Sequence, residues 1–65
     1  MYELVFEVAN AGYFLQKYPK AVKLNSGCYL LECLAIDLDE AWLNGEIIAS
    51  RVKESGAVLV EAAEK

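Results

Sequence analysis

Apolar and polar residues alternate at the start of the chain: Tyr2, Leu4, Phe6 and Val8 fall on one face, and Glu3, Val5 and Glu7 on the other. A period of two predicts a half-buried strand with its acids toward water. Asn10-Ala11-Gly12 reads as a short hairpin turn, because Asn and Gly tolerate positive φ. Tyr13 to Tyr18 fits two conformations. As a strand it pairs back on the first; as a short helix it presents Phe14, Leu15 and Tyr18. Tyr18 precedes Pro19, and pre-proline sterics disfavour helix there, so we expect a strand. Ala21 to Leu24 is a short extended piece, and Asn25-Ser26-Gly27 is a turn signal. Cys28 to Ile36 is apolar on both faces apart from Glu32, as in a central strand covered on both sides.

The period then changes. Asp37 is placed to cap a helix, and Glu40, three residues on, completes a capping box, with Ile36 and Ala41 as its staple. Gly56 sits where a left-handed terminator belongs. At 100° per residue, Leu38, Ala41, Trp42, Gly45, Ile48, Ala49 and Val52 share one broad face, which we take as the core face. Leu43 and Ile47 lie on the other side of the helix, one turn apart. Ala57 to Ala62 closes the chain as a strand, with Val58 and Val60 against Leu59. The expectation is one α+β domain over residues 1–65. A small antiparallel-rich sheet of four to five strands carries one main helix on one face, in the order β-β-(β)-β-α-β. If residues 11–18 are helical instead, the order becomes βαββαβ, a small ferredoxin-like arrangement. A single helix leaves one sheet face short of cover.

Composition sharpens that point. The chain has 65 residues, of which 57% are hydrophobic, against about 45–50% in ordinary domains. A chain this short buries only about 60% of its unfolded surface, so the surplus of apolar residues is expected outside, facing a partner or a second copy. With two cysteines and no histidine, neither a disulfide framework nor a common metal site is available to help stability. Cys28 and Cys33 are an odd spacing apart and fall on opposite faces of one strand, so we expect two free thiols and no shared metal. The N-terminus has no signal-peptide pattern and no apolar run reaches membrane length, so a cytoplasmic protein is expected.

Charge is unevenly placed. Residues 1–31 set Glu3 and Glu7 against Lys17, Lys20 and Lys23, whereas residues 32–65 carry eight acids against Arg51, Lys53 and Lys65. A basic footprint for direct nucleic-acid binding is missing. Glycines 12, 27, 45 and 56 match no phosphate loop, Asp37, Asp39 and Glu40 lack calcium-loop spacing, and no serine has a base at a recognisable distance. A sheet with one helix is also expected to offer hardly any cleft. We therefore expect no enzyme, no metal and no cofactor. Gly45 in mid-helix costs about 1 kcal/mol relative to alanine, which points to close packing of helix on sheet.

Two features remain as candidate sites. Glu32, Asp37, Asp39, Glu40 and Glu46 form an acidic arc. Helix electrostatics alone explains acids in a first turn, but such an arc also resembles a row of phosphates in spacing. It would suit a protein-binding inhibitor or adaptor that occupies the basic, nucleic-acid-binding groove of a partner protein. That is a nucleic-acid mimic of the anti-CRISPR or anti-restriction kind. Leu43, Ile47 and Tyr29 form the second feature, an apolar patch suited to docking or to a homodimer. It belongs to the alternative expectation, a homo-oligomeric accessory or structural subunit.

Overall fold

The N-terminal alternation becomes strand β1, Tyr2–Glu7, with Tyr2, Leu4 and Phe6 buried and Glu7 exposed. A computed structural model describes all of residues 1–65. After β1 come helix α1 (Ala11–Lys17), strands β2 (Val22–Asn25) and β3 (Cys28–Cys33), helix α2 (Leu38–Arg51), a 3-10 turn (Lys53–Ser55) and strand β4 (Val58–Glu64). The four strands make one sheet in the order β2-β3-β1-β4, and every neighbouring pair is antiparallel. The class expected from the sequence is therefore present, in its βαββαβ form.

Residues 11–17 are a helix and not a strand. Asn10, read as a turn residue, caps that helix: its side-chain oxygen accepts from the Tyr13 N–H at 3.1 Å. Asn serves both purposes, and the cap wins here because Phe14 finds a site inside the protein. Phe14 is fully buried, with ring centroids 5.6 Å from Phe6, 5.8 Å from Tyr18 and 5.9 Å from Tyr29. Pre-proline sterics do act at Tyr18, which leaves the helical region as C-cap (φ −129°, ψ 73°). They end the helix one residue before Pro19 without preventing it.

Both helices lie on one side of the sheet. Cross-strand partners share a face, so Tyr29, Leu31 and Cys33 of β3 stand with Phe6, Leu4 and Tyr2 of β1. The core gathers these with Val8, Phe14, Ala41, Val52, Ala57 and Leu59. The other side has no cover. Val5, Leu30, Cys28 and Val58 lie there among Glu3, Glu7, Glu32 and Glu61.

Helix α2 sits closer to the sheet than its apolar stripe suggests. A Cβ added to Gly45 would lie 2.5 Å from Leu59 Cδ2 and 2.9 Å from Cδ1, so the missing side chain is what lets the helix approach. Ala41, Gly45 and Val52 point into the core. Leu38 and Trp42, expected there, are instead 49% and 43% exposed. The contact uses the small residues of the face and leaves the two large ones on its flank. The Ile36–Ala41 staple does not form either, because Ile36 is 84% exposed.

Joints between strands and helices are tied together. Gly56 closes the 3-10 turn at φ 70°, and Gly27 turns β2 into β3 at φ 85°, both in the left-handed region where glycine is favoured. The Ser55 carbonyl accepts from Ala9 N–H at 3.0 Å and Asn10 N–H at 2.8 Å. The buried Ser55 hydroxyl donates to the Val52 carbonyl at 2.6 Å. The end of α2 and the start of α1 are thus held by one residue.

Candidate functional site

Asp37 behaves as its position predicts. Its carboxylate accepts from the Glu40 N–H at 2.9 Å, an N-cap interaction typically worth about 1 kcal/mol. Glu40 reaches back one residue further than a standard box and accepts from the Ile36 N–H at 3.1 Å. Two of the five arc carboxylates are therefore engaged in starting the helix. Glu32 is elsewhere altogether: it pairs with Glu3 across β1–β3, on the uncovered side, and forms a salt bridge with Lys65. Hydrogen bonding to Glu32 and its charge hold the Lys65 ammonium above the usual lysine range. The acidic arc is consequently not one surface. Register divides it, since β3 turns Glu32 away from the side that bears α2.

A different acidic group takes its place. Asn44, which donates to the Leu34 carbonyl at 3.3 Å, and Glu40, which holds Ile36, lie on the flank of α2 turned toward the end of β3. At 100° per residue the opposite flank carries Leu38, Trp42 and Glu46, with Asp39 beside them. That flank lies over β4, on which α2 packs. On the same side β4 adds Glu64, opposite Tyr2, whereas Glu61, opposite Val5, faces the uncovered side. Burial pushes the Tyr2 hydroxyl up from its ordinary value, and the nearby carboxylates of Glu64 and Asp37 add to the effect. Among all acids, only Glu32 has a basic side chain within salt-bridge distance. Sequence reasoning missed Glu64 as a member because it comes from another element; the assignment of strand order was the signal needed.

Tyr29 is not available as an interface residue. It is 5% exposed and packs on Phe14, because β3 turns it to the helix side. Leu43 and Ile47 are at the surface, 58% and 42% exposed.

The molecule also has a concavity, contrary to the expectation of hardly any cleft. An open groove of about 950 Å³ runs between the α1–β2 connection and the end of β3, bordered by Tyr18, Lys20, Leu30, Glu32, Cys33 and Leu34. It exists because β2 is shorter than β3 and leaves the last residues of β3 unpaired on that side. Its chemistry is limited. The Cys33 thiol is pushed up by burial, only partly offset by a hydrogen bond with the Asn44 side chain, which is the reverse of an activated nucleophile. No three His, Cys, Asp or Glu side chains gather as a metal-holding group. No helix is long and apolar enough to cross a membrane.

No protein-family model matches this chain, and no curated protein or solved structure matches it.

Proposed function

We propose that this chain is a non-enzymatic protein-binding module whose working form is a homo-oligomer, an accessory or structural subunit of the cytoplasm. The carrying observation is its exposed apolar surface. Eleven large hydrophobic residues are exposed, as many as there are hydrophobic residues in the core. Val22, Leu24, Val58 and Val60 lie on the two outer strands, and Leu34, Ile36, Leu38, Trp42, Leu43 and Ile47 lie on and before α2. Single exposed apolar residues are ordinary; runs of this kind favour an interaction surface. Free thiols at Cys28 and Cys33 suit a reducing compartment. Sedimentation velocity from micromolar to millimolar protein is the test. We expect a mass that rises with concentration to a dimer or beyond, and a monomer throughout the range would overturn the proposal.

A second reading rests on the unpaired acids of the α2 flank and β4. In it the chain is an adaptor or inhibitor whose acidic side fills the basic groove of a nucleic-acid-handling protein. Asp39→Lys with Glu46→Lys spares the capping pair Asp37 and Glu40, so the fold should persist while capture of such a protein from lysate is lost. Capture that survives both reversals removes this reading.

A further inference from the structure

The sheet ends in two strands with free outer edges, β2 on one side and β4 on the other. Building on the self-association reading, we propose that copies of this chain join head to tail. β4 of one pairs with β2 of the next in the register that sets Glu64 opposite Lys23.

Strand direction permits this. All neighbouring pairs are antiparallel, so the two outer strands of the four run in opposite senses. A second copy placed alongside in the same orientation brings its β2 antiparallel to β4, and the sheet continues by its own rule.

Ladder phase selects the residues. The Lys65 N–H donates to the Met1 carbonyl at 3.0 Å, so Lys65, Ala63 and Glu61 turn their backbone groups inward to β1. Ala62 and Glu64 turn theirs outward. On the other edge, the Val8 N–H donates to the Gly27 carbonyl at 2.7 Å, which sets Cys28, Leu30 and Glu32 toward β2. Val22, opposite Leu30, therefore faces inward and Lys23 outward. Lys23 and Glu64 each present a free N–H and C=O at an edge. Their side chains also match, since Lys23 stands opposite Tyr29 and Glu64 opposite Tyr2, both on the helix side. Residues that pair across an antiparallel seam must agree in both respects. These two agree and carry opposite charges. The irregularity in β4 lies before Glu61 and that in β2 lies between Lys23 and Asn25, so Glu64 and Lys23 themselves stand outside both.

Charge also rejects the alternatives. β4 carries Glu61 and Glu64 without a base, whereas β2 and its approach carry Lys20 and Lys23 without an acid. Joining either edge to itself sets like charges together. Stacking the uncovered faces would oppose Glu3, Glu7, Glu32 and Glu61 with their copies. In the head-to-tail arrangement the neighbour's α1 and its Lys17 come alongside the overhanging flank of α2, covering Leu38 and Trp42. The seam is heterologous, so it generates a ring or a filament.

Paired charge reversal tests it, with sedimentation and the emission of Trp42, the one tryptophan, as readouts. One variant carries Glu61→Lys and Glu64→Lys; the other carries Lys20→Glu and Lys23→Glu. Wild type should assemble with a blue shift of Trp42 emission. Each variant alone should associate at least about tenfold more weakly, and an equimolar mixture should assemble again. Leu43→Glu, away from the seam, should assemble as wild type does. If wild type assembles but either reversal has no effect, or the mixture is not restored, the seam is wrong while self-association stands. If wild type is monomeric, the underlying reading fails and the seam with it. A double reversal that does not fold is replaced by Glu64→Lys and Lys23→Glu singly, mixed in the same way.

Discussion

Phe14→Ala should leave the chain largely unfolded in water at 25 °C. Removing a fully buried phenylalanine costs about 3–5 kcal/mol, and a domain of 65 residues has about 3–10 kcal/mol in all. The position makes the upper part of that range the expected one. Helix α1 has seven residues and Phe14 is its only buried one, and a helix this short does not hold together in water by itself. Without the ring, α1 keeps only the partly buried Ala11, Tyr13 and Leu15 against the core, and Phe6 and Tyr29 lose the aromatic partner they share. Urea titration followed by near-ultraviolet circular dichroism measures the loss. Phe14→Leu fills most of the space and should cost nearer 1 kcal/mol. A loss below about 1 kcal/mol for the alanine variant would mean that α1 is not held by this residue.

Gly45→Ala should destabilise the protein, although alanine is the better helix former by about 1 kcal/mol. The new methyl would lie 2.5 Å from Leu59 Cδ2 and 3.2 Å from its Cγ. Leu59 is 6% exposed and is held between β1 and α2, so its side chain cannot simply swing aside. Overpacking of this kind costs about 1–3 kcal/mol. Shortening the partner should reverse the sign. Leu59→Val removes the obstructing methyls at a cost of about 1 kcal/mol, and in that background Gly45→Ala should stabilise. A double-mutant cycle by chemical denaturation gives the coupling directly. If the effect of Gly45→Ala is the same in both backgrounds, Leu59 is not what the glycine makes room for.

These two residues also mark where sequence patterning was sufficient and where it was not. The strand period of Tyr2 to Val8, the Asp37 cap and the left-handed glycines are local matters, and local spacing reveals them. Close packing at Gly45 was legible too, because a mid-helix glycine is costly unless something requires it. Which large residues that packing would leave outside was not legible. Leu38 and Trp42 share the same angular sector as Ala41, and only the depth at which α2 settles separates them. Residues 11–17 carry an asparagine that serves equally as turn or cap, and the packing of Phe14 against residues from two strands decided between them. The acidic arc failed for a related reason. Glu32 and Asp39 are only seven residues apart in sequence, but strand register turns the first to the uncovered side while α2 carries the second above the other. Glu64 joins that acidic flank only through strand order, which no local pattern contains.

The position of β1 has a consequence for how the protein is made. β1 ends at residue 7, and its outer neighbour β4 begins at residue 58. At a synthesis rate of about 5–20 residues per second, roughly 3–10 s separate the two strands. Through that interval Leu4 and Phe6 belong to a central strand that has one flank still unsynthesised. Leu4 and Phe6 thus emerge well before the strand that completes their sheet, and the arrival of β4 also brings the Ser55 carbonyl to the loop at Ala9 and Asn10.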